Sequence, residues 1–154
     1  MEEIKILRLT NDKPYAWALM PQVLDRVKKF CEEYETDLVF PFLRSVIIAE
    51  FGKENSDMYL LVAIKGKVVV GYTLILIEVW SGIRHAVVHQ SQMDEGIPLP
   101  LEELEPWKPL LNAWTLEKKA KDLRCLAISP QMARLFSVFF KFKYKYTLLS
   151  HEVG

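Results

Sequence analysis

One stretch of the chain brings together Glu78, His85, His89 and Asp94, with Gln90 and Gln92 interleaved. Carboxylates and imidazoles are the side chains that take and return protons near neutral pH, so acid–base work is the chemistry this stretch could do. On an extended strand His85 and His89 share a face but lie about 13 Å apart at ~3.3 Å per residue, too far to share one ion, so no metal site is expected. The plainer reading makes both histidines hydrogen-bonded or solvated structural residues and Glu78 an exposed carboxylate beside Trp80. Gln90 and Gln92 alternate and could bond a ligand amide or simply face water.

A second pattern, Lys141, Lys143 and Lys145 alternating with Phe142, Tyr144 and Tyr146, could stack and neutralise a single-stranded nucleic acid. A half-buried strand gives the same period of two. With 20 Lys+Arg against 20 Asp+Glu the chain has no net charge, and no nucleic-acid partner is expected. Cys31 and Cys125 are far apart and form no C-x-x-C pair, so they read as small buried hydrophobes in a reducing interior. The N-terminus lacks a basic segment followed by a long apolar one, and no apolar run reaches the roughly 20 residues of a spanning helix. A cytoplasmic or other intracellular protein with no membrane partner is expected.

The elements that must position these residues follow from periodicity. Residues 4–9 alternate as a strand, and residues 15–34 repeat apolar side chains at helical spacing, with Pro21 marking either the helix start or a join between two pieces. Residues 38–51 predict a second helix stopped at Gly52. Residues 58–64, 68–80 and 84–93, separated by turns at Gly66 and Gly82, predict a three-strand antiparallel meander. Residues 97–105 read as a Pro-interrupted acidic connection, 107–123 as an amphipathic helix with Leu110, Leu111, Trp114 and Leu116 on its apolar side, and 124–128 as a strand. Ser129 and Pro130 cap a helix over 131–140, and 142–149 read as the last strand. At 154 residues, one domain is expected.

This order resembles the GNAT superfamily of N-acyltransferases, most clearly over residues 58–153. MYLLVAIKGKVVVGY (58–72) is similar to the family's apolar strand, glycine turn and V-V-G-Y strand; LAISPQMARLF (126–136) resembles its strand-to-helix segment N-x-x-A-x-x-L-Y; FKYKY (142–146) stands where G-F and a last strand are usual. The resemblance implies an α/β fold with a GNAT-like mixed, mainly antiparallel sheet flanked by helices. It further implies acetyl-CoA or another acyl-CoA as cofactor and no metal, with the fourth and fifth strands splayed around the pantetheine arm and a helix N-terminus at the pyrophosphate. The splay would lie between 84–93 and 124–128, which assigns Met93, Asp94, Glu95 and Gly96 to cofactor binding and Glu78 and His89 to proton removal from an acceptor amine.

The family's pyrophosphate loop, Q/R-x-x-G-x-G/A, corresponds here to DEGIPLPLEELE (94–105), which keeps one glycine, loses two amide donors to proline and sets carboxylates against a polyanion. Phe136 stands where a tyrosine would protonate the leaving thiolate, and Lys141 where glycine is expected. The expectation is a GNAT-like protein with weakened or lost acyl-CoA chemistry and a binding or structural role, of the kind found among phage accessory or particle proteins, and then with a place in the virion. The alternative is an active acyl-CoA-dependent N-acyltransferase acting on an amine. A surface built from Phe136, Phe139, Phe140, Phe142, Trp107 and Trp114 could serve a protein partner or self-association.

Overall fold

The computed structural model describes residues 3–34, 36, 38–144 and 151. Five strands form one sheet in the order β1-β2-β3-β4-β5: β1 (Ile4–Arg8), β2 (Met58–Lys65), β3 (Val68–Trp80), β4 (Ile83–Met93) and β5 (Leu123–Cys125). The first four pair antiparallel and β5 joins β4 in parallel, so the sheet is mixed and mainly antiparallel. The tight turns of the meander use left-handed backbone at Gly66 (φ 65°) and at Ser81–Gly82 (φ 52° and 78°), as two-residue hairpin loops require.

Helices α1 (Ala16–Tyr34) and α2 (Phe40–Phe51) cover one face of the sheet. Val23, Val27, Leu43 and Ile47 pack there against Leu60, Val62, Leu74 and Leu76. Pro21 neither starts nor breaks α1, which runs through it. The prolyl ring removes only the hydrogen bond to the Trp17 carbonyl, and Pro21 lies on the exposed side, where water replaces it. The opposite face carries α3 (Leu101–Leu104), α4 (Trp107–Glu117) and α5 (Pro130–Arg134), whose Leu104, Leu111, Trp114 and Met132 pack on Tyr59, Leu61, Ile75 and Val88.

The second half departs from the sequence reading in several places. The 97–105 connection contains a helical turn, α3, which buries Leu104. α4 stops at Glu117 rather than 123, closed by Lys119 N–H on the Leu116 carbonyl at 3.0 Å and Ala120 N–H on the Thr115 carbonyl at 3.1 Å, while the buried Lys118 ammonium donates to the Asn55 side-chain oxygen at 2.7 Å and its carbonyl at 3.2 Å. Lys119 then turns left-handed (φ 57°), and Lys121 N–H donates to the Arg84 carbonyl, laying the chain beside β4. Leu110 and Leu116 are exposed; the buried stripe is Leu111, Trp114 and Thr115.

β5 is only three residues long. Ser129 caps α5 as expected, accepting from Met132 N–H at 3.1 Å, but the helix widens into a π-helical segment over Leu135–Phe139. Phe142 to Tyr144 carry no strand pairing; the rest of the expected last strand, 145–149, lies outside the described residues. Among the described residues, no helix is long and apolar enough to cross a membrane, and no three His, Cys, Asp or Glu residues are grouped to hold a metal ion.

Candidate functional site

The site is organised by β4. Ile75 faces Val88 and Leu74 faces Gln90, so His89 is an extra residue on β4 without a partner on β3, a β-bulge. On its other edge β4 pairs with β5 only at Ala86, Val87 and Val88, followed by one bond from Leu126 N–H to the Val88 carbonyl. From His89 onward β4 has no strand partner on this edge among the described residues, because β5 ends at Cys125. The end of the β4–β5 pairing and the bulge therefore adjoin at Val88 and His89.

Two sequence candidates meet beside the bulge. His89 Nε2 lies 3.2 Å from Glu78 Oε1, close enough for an ion pair yet without hydrogen-bond alignment, since Nε2 is buried with no hydrogen-bond partner. The approach of His89, aided by Trp80, outweighs burial and holds the Glu78 carboxyl below its usual range. Glu78 is thus an ionised base, partly open to solvent, beside an imidazole.

His85 belongs to a separate pair. The residue is 3% exposed, and Nδ1 lies 2.7 Å from Asp122 Oδ1, which places the proton on Nδ1. Arg124 Nε donates to both oxygens of Asp122 at 3.1 Å and its guanidinium lies 5.2 Å from the Trp80 ring centre, while His85 packs on the same indole. Burial opposes the Asp122 charge, but His85 and Arg124 outweigh it and keep the carboxyl low. The interleaved glutamines are engaged internally. Gln90, 1% exposed, accepts from the Tyr72 hydroxyl at 2.6 Å and donates to Cys31 Sγ, and Gln92 Nε2 donates to Asp94 Oδ1 at 2.9 Å.

Met93, Asp94, Glu95 and Gly96 end β4 and turn the chain, with Ile97 N–H donating to the Asp94 carbonyl at 3.1 Å. Met93 N–H, turned away from β3, donates to Gln131 Oε1 at 3.2 Å. Asp94 Oδ2 accepts from Arg26 Nη2 on α1 at 2.7 Å. Glu95 is exposed, and Gly96 (φ 80°) has open space around it. Sequence reasoning missed Arg26, Gln131, Asp122 and Arg124. Nothing local marks the first two, which meet β4 across long stretches of chain; the alternation of Asp122 and Arg124 on one strand face was an available signal.

These residues do not fit the diphosphate of coenzyme A. A polyanion needs free N–H donors and uncommitted cations. Here the first helix after β4 is one turn, follows Pro100 and carries Glu102 and Glu103 in that turn. Arg26 is already neutralised by Asp94, and the Met93 donor is taken. The cavity between Met93, Leu99, Pro100, Leu104 and Leu135 measures about 30 Å³, water-sized, because the connection after β4 packs onto the sheet. Phe136, 3% exposed, stacks on Phe140 with ring centres 5.0 Å apart and meets Phe142 edge-on, a packing role with no proton to give.

No protein-family model matches the chain, and no curated protein matches it. Solved structures do. The aminoglycoside N-acetyltransferase AAC(6')-Iy in complex with CoA superposes with a TM-score of 0.66 at 8% identity, over 99% of this chain and 96% of that one. The aminoglycoside acetyltransferase meta-AAC0020 from an uncultured soil metagenomic sample gives 0.58 at 12% identity, covering 98% and 97%. The ribosomal-protein-alanine N-acetyltransferase of Brucella melitensis biovar Abortus 2308 gives 0.55 at 10% identity, covering 98% of each chain. At these identities the likeness establishes the fold, which is that of the GNAT acetyltransferases.

Proposed function

We propose that this chain is a GNAT-fold protein whose acyl-CoA chemistry is weakened or lost and which acts by binding, through a protein partner or a second copy of itself. The observation that carries this reading is the end of β4, where Asp94 engages Arg26, Gln131 takes the Met93 N–H, and a Pro-led acidic turn replaces a helix N-terminus. The test is thermal unfolding with and without millimolar acetyl-CoA. A native-state ligand at about 100 times its Kd adds roughly 2.7 kcal/mol, so binding at even tens of micromolar would be plain to see. The expected result is no shift, and a clear saturable shift would overturn the reading.

One observation favours a second reading, an N-acyltransferase acting on an amine. Glu78 is ionised beside His89 at the point where β4 bulges and its pairing with β5 ends, and such a pair could take a proton from an ammonium group. Under this reading Glu78→Gln abolishes amine acetylation without loss of fold.

A further inference from the structure

A cleft of about 710 Å³ opens between β1 and the first half of α1, separated from β4 by β2 and β3. Glu3, Lys5 and Leu7 alternate along the chain and so share one side of the edge strand. Opposite them Tyr15, Ala18, Leu19 and Gln22 recur at three and four residues and form one stripe of the helix, with Ile64 of β2 between the two walls. The cleft is held open by its own framework. Gln22 Oε1 accepts from Val69 N–H at 2.9 Å and its Nε2 donates to the Lys67 carbonyl at 3.2 Å, which staples α1 to the β2–β3 turn. One helical turn back, exposed Ala18 is too small to fill the space it lines.

The two ends of the cleft differ in chemistry. Ile4 faces Lys65 in the register, so Glu3 and Lys5 lie level with the turn that carries Lys67, whereas Leu7 faces Val62 further along β1. The turn end therefore gathers two exposed ammonium groups and one exposed carboxylate, and none of the three has an ion-pair partner among the described residues. The other end is walled by Leu7, Leu19, Ala18 and the Tyr15 ring. From Gln22 back to Tyr15 the helix runs about 10 Å at ~1.5 Å per residue, which sets the length of that wall.

We propose that this cleft binds a monoanionic amphiphile, an unbranched monocarboxylate whose apolar body lies along Leu7, Leu19 and Ile64 and whose carboxylate is held by Lys5 and Lys67. Pre-formed apolar pockets of this size take small molecules, and a few charged groups at one end fix the orientation of the ligand. Two ammonium groups against one carboxylate leave a place for a single negative charge. The inference goes beyond the proposed partner-binding role and is independent of the acyl-CoA chemistry, since no lining residue belongs to the end of β4 or to the Glu78–His89 pair.

The experiment is calorimetric titration at one low ionic strength with decanoate, kept below the concentration at which it forms micelles, and with decyltrimethylammonium, which has the same apolar body and the opposite charge. The proteins are the wild type, the double variant Lys5→Gln/Lys67→Gln and Ala18→Trp. Expected are saturable binding of decanoate to the wild type, binding of the cation weaker by about tenfold or more, a similar loss of decanoate affinity in the lysine variant, and loss of binding when the indole fills the cleft. Should Ala18→Trp fail to fold, Ala18→Leu keeps a good helix former at the same exposed position and is expected to weaken decanoate binding in the same direction. No saturable binding of decanoate to the wild type, equal affinity for the cation, or binding unchanged in the lysine variant or in a folded Ala18 variant overturns the inference. A thermal shift with acetyl-CoA would overturn the proposed function and leave this inference standing.

Discussion

Replacing Gly71 by alanine tests how closely β3 and β4 must approach to deliver the end of β4. Gly71 faces Met93 in the register, and a Cβ there would overlap Met93 Sδ and lie 2.6 Å from the Gln92 carbonyl oxygen, where ordinary carbon contacts are about 3.5–4.0 Å. The thioether can swing aside. The carbonyl cannot, because it belongs to β4, so the strands must part. Overpacking of this kind costs ~1–3 kcal/mol, and a clash with backbone places Gly71→Ala in the upper half, about 2–3 kcal/mol. In a chain of this length that lowers Tm by roughly 4–12 °C. Scanning calorimetry on Gly71→Ala, Met93→Ala and the double variant separates the two clashes: Met93→Ala relieves the sulfur overlap, and Gly71→Ala should still cost about 1 kcal/mol or more in that background. The Asp94 N–H, which donates to the Val70 carbonyl at 2.8 Å beside the mutated rung, should also exchange faster with solvent. An unchanged Tm in Gly71→Ala, or its complete rescue by Met93→Ala, would refute the claim that the backbones set the constraint.

Two further outcomes follow from the site. Glu78, Asp94 and Asp122 all have folded-state pKa values held below those of the unfolded chain, so their stabilisation is complete above about pH 5 and is lost as pH falls through the folded values. The urea midpoint should therefore drop between pH 6 and pH 3, less steeply in Asp94→Asn and Asp122→Asn; equal slopes in all three proteins would contradict the assignment. Phe136→Tyr, the change that restores the proton donor implied by the family pattern, should instead destabilise by about 1–3 kcal/mol by burying a hydroxyl among Phe140 and Phe142, and should confer no acetyl transfer. A variant of wild-type stability that transfers acetyl groups would show the packing argument to be wrong.

The meander and the two N-terminal helices were legible because their signals are local: apolar runs broken at Gly66 and Gly82, and apolar side chains at helical spacing over residues 15–34, although Trp17, read as part of that apolar face, is 53% exposed. The second half was harder to read because distant residues decide it. α4 ends where the chain turns back to lay Lys121 on the Arg84 carbonyl, β5 is as long as its contact with β4 allows, and the helix after Ser129 widens within the aromatic cluster. The candidate site shows the same division. Glu78 and His89 could be named from residue type, but their meeting depends on the β3–β4 register, and Asp94 could be placed at the loop without any hint that Arg26 would neutralise it. Residues 145–149, where the last strand was expected, lie outside the described residues.

The sheet's connections also set an order of assembly. β2, β3 and β4 are joined by turns of a few residues and can zip together from neighbouring segments, whereas Arg8 reaches Leu61 only after both α1 and α2 have been laid down between them. Closing that long loop is entropically costly, so β1 is expected to dock late in folding and to detach first. The β3–β4 hairpin, which carries Glu78 and His89, would then be formed well before the strand at the opposite edge arrives, and local opening at β1 would leave the pair undisturbed.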